Sequence, residues 1–151
     1  MITIEDLKKK QSEPSRLIGL DLGSKRIGVS ICDEKQSVAT PFKTIAKTNT
    51  NELISQLRKI INENSVNGII IGNPLNMDGS SGRSAQSVND VSANIDKAID
   101  IDVCLWDERL STVGAFNLSS QLDINVTKRK KNIDQNAAAF ILQGAIDFLN
   151  N

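Results

Sequence analysis

The sequence predicts an α/β domain: a mixed sheet with helices on its faces. Three β-rich runs at the start are joined by short turns, which makes an antiparallel meander. Further on, the wholly apolar run Gly68-Ile69-Ile70-Ile71-Gly72 lies between two stretches of helical periodicity, as a parallel strand buried on both faces would. The order β-β-β-α-β-α-β-α-α therefore joins a meander to alternating αβ units.

Each element has its own signal. Residues 1–15 are polar and charged and read as an N-terminal extension, with a short helix from Ile4 to Lys10 capped by Thr3. Residues 16–151 read as a single domain. Residues 17–21 and 27–33 are the first two strands, and Asp33-Glu34-Lys35-Gln36 is a turn. Residues 38–46 form the third strand, where Pro41 marks an edge or a bulge. Leu53, Ile54, Leu57, Ile60 and Ile61 give residues 51–62 helical spacing. After the strand 68–72, residues 73–82 are loop. Residues 84–98 form a polar helix with Val88, Val91 and Ile95 on one face. Residues 101–106 are the last strand, and 111–122 a helix capped by Ser111 or Thr112. Residues 123–132 read as a basic loop, and 133–149 as an apolar helix that packs on the sheet.

A chain of 151 residues is long enough to bury a core, and 39% apolar with 24% charged residues reads as globular. Eighteen basic and eighteen acidic residues cancel, so polyanion binding must come from local clusters. The absence of histidine excludes histidine acid–base, nucleophilic and zinc chemistry. Cys32 and Cys104 read as buried free thiols. No apolar stretch approaches the roughly 20 residues that span a bilayer, and no secretory signal follows Lys8-Lys9-Lys10. The expected location is the cytoplasm.

The acids carry the chemistry. Asp21 ends an apolar strand, where a carboxylate is costly unless paired or bound to a metal. Asp107 and Glu108 follow the last strand, at the end where open α/β sheets place ligands. Asp134 begins the terminal helix. If the first and last strands are neighbours, these acids converge and repel, and Mg²⁺ or Mn²⁺ would relieve that repulsion.

Four segments then carry a resemblance. They are Gly19-Leu20-Asp21-Leu22-Gly23-Ser24-Lys25-Arg26-Ile27-Gly28-Val29, Ile71-Gly72-Asn73-Pro74-Leu75-Asn76-Met77-Asp78-Gly79-Ser80, Trp106-Asp107-Glu108-Arg109-Leu110-Ser111-Thr112, and Ile133-Asp134-Gln135-Asn136-Ala137-Ala138-Ala139-Phe140-Ile141-Leu142-Gln143. In this order the chain resembles the YqgF (RuvX) family of Holliday-junction-resolvase-like and pre-16S rRNA nucleases. The resemblance implies a ribonuclease-H-like fold, a five-stranded mixed sheet in the order 3-2-1-4-5 flanked by helices. It implies metal-dependent phosphodiester hydrolysis by Asp21, Glu108 and Asp134, on precursor ribosomal RNA or, alternatively, on branched DNA. A two-metal site would hold two ions about 4 Å apart, with Asp21 bridging them. Ribosomal particles are candidate partners, and no membrane is. If strand alternation persists, Asp107 points to the face opposite Glu108. Alternation alone does not choose the ligand of the pair, and the resemblance makes Glu108 the choice with Asp107 second.

Each residue also has a plainer reading. Glu108 beside Arg109 could be a surface ion pair, and Asp134 a first-turn acid favoured by the helix dipole. Lys25 and Arg26 could be a solvated turn, yet beside Asp21 they would hold a phosphate. Asn76 lies in a turn-rich segment that would contact substrate, as would Arg109. Lys128, Arg129, Lys130 and Lys131 would supply phosphate contacts near Asp134. With 3% aromatic residues, backbone and shape recognition would outweigh base stacking. Three features depart from the family pattern. Gly72-Asn73-Pro74 replaces Gly-Leu-Pro, the helix after Gly82 is poor in basic residues, and the first fifteen residues are extra. Two rival classes are a non-hydrolytic RNA- or ribosome-binding factor of the same fold, and an actin-like or sugar-kinase-like ATPase. The latter needs two such domains, where this chain supplies one.

Overall fold

Alternating burial shapes the molecule. In the computed structural model, residues 1–74, 82–108 and 126–151 are described, with the side chains of residue 84 and residues 126–135 left aside. The elements are α1 (Ile4–Lys10), β1 (Leu17–Leu22), β2 (Arg26–Cys32), β3 (Ala39–Ala46), α2 (Thr50–Asn64), β4 (Gly68–Asn73), α3 (Arg83–Ala98), β5 (Asp102–Asp107) and α4 (Val126–Asn150). The strands form one five-stranded sheet in the order β3-β2-β1-β4-β5. β1 pairs antiparallel with β2 and parallel with β4, and β5 is parallel to β4. This is the order the family resemblance implies. Pro41 does mark both features expected of it: β3 is an edge strand, and the β2–β3 register shifts between Val29 and Ser30.

Each strand feeds two cores. Ile18, Leu20, Val29, Ile69, Ile71 and Val103 face the helices α2 and α3, which contribute Leu53, Leu57, Val88 and Ile95. Leu17, Ile70, Cys104 and Trp106 face α4, which contributes Ile141, Leu142, Ala145 and Ile146. Asn49 starts α2 by accepting the Glu52 N–H at 2.8 Å.

Two expectations need correction. Residues 123–132 were expected as a loop before a helix starting at 133, but α4 already begins at Val126. Lysine and arginine are good helix formers, so a run of charge is no argument against a helix. Asp134 consequently lies in the third turn of α4 rather than the first. The dipole explanation loses its ground, because that effect fades beyond the first turn. The expected helix at 111–122 lies outside the described residues, as does most of the loop 73–82.

The N-terminal segment packs closely on the sheet. Ile2 bridges to Cys104, its N–H donating to the Val103 carbonyl at 3.0 Å. Thr3 caps α1 through Asp6 N–H at 3.0 Å, as its sequence predicts. Ile4 and Leu7, spaced three apart, are buried in the core beside Trp106 and α4. Trp106 meets Phe148 edge-on, with ring centroids 6.2 Å apart. Cys32 and Cys104 are buried free thiols, and burial pushes Cys104 up to about 12.

Candidate active site

The α4 face of the sheet follows one pattern on its three parallel strands. Each carries bulk deep in the core and an acid or a glycine near the strands' C-terminal end. β1 presents Leu17, Gly19 and Asp21 in alternation; β4 presents Ile70 and Gly72; β5 presents Cys104 and Trp106, with Glu108 one step past its end. Asp21 falls one residue beyond the Leu20–Ile71 pair, which puts it level with Gly72 on the neighbouring strand.

Glycine admits close neighbours at two of these points. A Cβ on Gly19 would stand 2.7 Å from Leu142 Cβ and 2.8 Å from the Ala138 carbonyl oxygen. The helix α4 rests directly on the β1 backbone there, and the buried Ser30 hydroxyl fixes it by donating to the Ala138 carbonyl at 2.7 Å. A Cβ on Gly72 would stand 2.9 Å from Glu108 Oε1 and 3.0 Å from Glu108 Cγ. The Glu108 side chain thus lies across β4 at Gly72, in the direction of Asp21. Its backbone is fixed as well, since Glu108 N–H donates to the Asn73 carbonyl at 3.1 Å.

The electrostatics report the same proximity. The Glu108 carboxyl is pushed up to about 7, first by burial, then by the Asp21 charge and then by Asp107. Asp107 continues the register of Val103 and Leu105, the α2–α3 side, so strand alternation separates it from Glu108. At the same sheet end, the β1–β2 turn exposes Lys25 and Arg26. The turn is closed by Gly23 N–H donating to Arg26 O at 3.0 Å.

The other expected residues are placed less fully. Asn76 and Arg109 lie outside the described residues. The backbone of Asp134 lies one turn before Ala138, which meets β1, and Lys128, Arg129, Lys130 and Lys131 occupy the first turns of α4. Among the described residues no three acidic, histidine or cysteine side chains cluster closely enough to hold a metal ion by themselves. The Asp21–Glu108 pair nevertheless fits a hard divalent cation: two oxygen donors whose mutual repulsion a cation would relieve. Sequence reasoning missed Gly19 and Gly72 as site residues. No local pattern marks them, because the groups they admit come from other elements.

Comparison with known proteins agrees with this architecture. The family model described as "RuvX: Holliday junction resolvase" matches residues 15–148. A protein of Pelagibacter ubique (strain HTCC1062) is 77% identical over 151 residues, all of both chains, and is named "Putative pre-16S rRNA nuclease". One of Chelativorans sp. (strain BNC1) with the same name is 41% identical, over 99% of this chain and 93% of that one. Among solved structures, T. thermophilus RuvC in complex with a Holliday junction substrate aligns with a TM-score of 0.57 at 8% identity. That alignment covers 89% of this chain and 95% of the other. At that identity the likeness concerns the fold alone, which is ribonuclease-H-like. The chain belongs to the RuvX (YqgF) family.

Proposed function

We propose that this protein is a divalent-metal-dependent nuclease that processes the 5′ end of precursor 16S ribosomal RNA in the cytoplasm, as part of ribosome biogenesis. The observation that carries the reading is the Glu108 side chain laid over Gly72 toward Asp21. A protein that only bound RNA would have no use for two repelling carboxylates held together in a half-buried site. The names of the relatives support the choice of RNA.

Asp21, Glu108 and Asp134 would hold two Mg²⁺ or Mn²⁺ ions, with Asp107 the reserve ligand. Such ions, when bound, supply an activated water and stabilise the leaving oxygen. The chain's own residues do the rest. Lys25 and Arg26 bind the phosphate at the mouth of the hairpin. Asn76, Arg109 and the basic start of α4, Lys128 to Lys131, hold the flanking backbone and add a salt-dependent share of affinity.

The test is cleavage of precursor ribosomal RNA and of a four-way DNA junction side by side, with Mg²⁺ and with EDTA. The reading expects the RNA to be cut with Mg²⁺ and left intact in EDTA. Cutting of the junction alone would replace it with a resolvase. Cutting of neither would leave a binding factor, with ribosomal particles as its partner.

A further inference from the structure

The face of the sheet opposite Glu108 holds, at the same end, a partly enclosed cavity of about 150 Å³. Leu22 and Ile27 from the β1–β2 hairpin form one wall, and Leu53 of α2 with Val91 of α3 form the other. Lys47, Thr50 and Ser87 stand at the polar rim, and no carboxylate lines it among the described residues.

Size limits what it can take. Pockets for drug-sized ligands run about 300–1,000 Å³, so a whole nucleotide or ATP is too large. At about 30 Å³ of liquid per water, the volume equals roughly five waters, the bulk of one planar ring system. The chemistry narrows it further. Aliphatic walls on both sides suit the faces of a ring, and the gain comes from apolar area rather than from aromatic stacking. The hydroxyls at the rim both donate and accept, so they can meet the edge of any base. A free phosphate is a poorer occupant, because the walls are apolar and the Asn49 side chain already takes the Glu52 N–H at the start of α2.

Position ties the cavity to the acids. Leu22 and Gly23, which line it, follow Asp21 directly, and consecutive Cα atoms are about 3.8 Å apart. Lys47 N–H donates to the Lys25 carbonyl at 3.0 Å, which brings the end of β3 against the hairpin turn. Resting on the nuclease reading above, we propose that this cavity seats one unstacked nucleobase of the substrate strand, within two nucleotides of the phosphate at Asp21. Lys47 meets the phosphate of that nucleotide. The substrate class that follows is a strand that is single or frayed at the point of cleavage, since a base in a duplex must first be unstacked and unpaired.

The experiment uses the full chain and an oligoribonucleotide that spans the cleavage point, with 2-aminopurine placed at each position in turn. The proposal expects fluorescence to rise on binding at one position within two nucleotides of the cut. Ser87→Leu, a change at an exposed helix position, fills the rim; it should abolish that rise and weaken binding about tenfold. An abasic site at the same position should weaken wild type equally and Ser87→Leu no further. Lys47→Ala should weaken binding while leaving the fluorescence rise in place. A rise at no position, a rise that survives Ser87→Leu, or additive losses in the cycle would overturn the proposal. If wild type still cuts the oligonucleotide in those cases, the nuclease reading survives and the cavity assignment alone fails. If it neither binds nor cuts it, both fall.

Discussion

The two faces of the sheet use the same strands for different ends. Toward α2 and α3 the strands present Ile18, Leu20, Ile69, Ile71 and Val103, bulky aliphatics over the whole strand length. Toward α4 they present bulk only at depth, then glycine and acid: Leu17, Gly19, Asp21 on β1 and Ile70, Gly72 on β4. Side chains alternate with a period of two, so one strand can spend one face on burial and the other on a charged site. The difference teaches where substitutions should separate stability from activity.

The sharpest separation is between Asp21 and Leu57. Asp21→Asn should lower cleavage by about three orders of magnitude, ~4 kcal/mol of transition-state stabilisation, while leaving the melting temperature unchanged or raised. Removing a charge from the Asp21–Glu108 pair relieves repulsion and adds almost no volume. Leu57→Ala, on the other face, should cost about 2–5 kcal/mol of stability and leave turnover per folded molecule intact. Kinetics and thermal melts on both variants check this. Wild-type turnover in Asp21→Asn would remove the distinction between the faces.

A finer separation runs within the α4 face. In Gly19→Ala the new methyl meets the Ala138 carbonyl and Leu142 Cβ, backbone-fixed groups that yield only if α4 moves. The expected loss is about 1–3 kcal/mol of stability. In Gly72→Ala the new methyl meets the ends of Ile141 and Glu108, which are flexible. Stability should change less, and activity should fall about tenfold or more as Glu108 is pushed from its place. Equal melting losses in the two variants would contradict this reading of the contacts.

The last separation is a pH dependence. The folded Glu108 carboxyl is raised to about 7, above an unfolded value of about 4.3. Protonated, it favours the fold; that contribution is complete below the unfolded value and is lost as pH rises through the folded one. Metal-free protein should therefore lose stability between about pH 4 and pH 7, on this group's account. Glu108→Gln should flatten that part of the curve in urea melts at a series of pH values. An unchanged slope in the variant would assign the effect to other groups.

Much of this was legible in the sequence because it depends on local pattern. The Leu17–Asp21 run showed an acid on a buried strand, and strand parity set Asp107 and Glu108 on opposite faces without saying which of them meets Asp21. The all-apolar Gly68–Gly72 run showed a central strand. What was not legible depends on tertiary approach or on a misleading correlation. Gly19 and Gly72 matter because α4 and Glu108 come close, and nothing in their neighbours says so. The run Lys128-Arg129-Lys130-Lys131 read as loop because it is charged, although its residues favour a helix. Ile4 and Leu7 carried helical spacing, but their burial depends on meeting Trp106 and α4.

The central claim is that Asp21 and Glu108 are held together to bind a divalent cation, with Asp134 completing the set. Calorimetric titration of Mg²⁺ and Mn²⁺ into the metal-free protein tests it most directly. The account predicts binding accompanied by proton release at neutral pH, because a cation lowers the raised Glu108 carboxyl. Binding should be markedly weaker in Asp21→Asn, Glu108→Gln and Asp134→Asn, and little changed in Asp107→Asn. Loss of binding in Asp107→Asn with Glu108→Gln silent would reverse the choice within that pair. Equal metal binding in wild type and all four variants would contradict the account and make the acids structural.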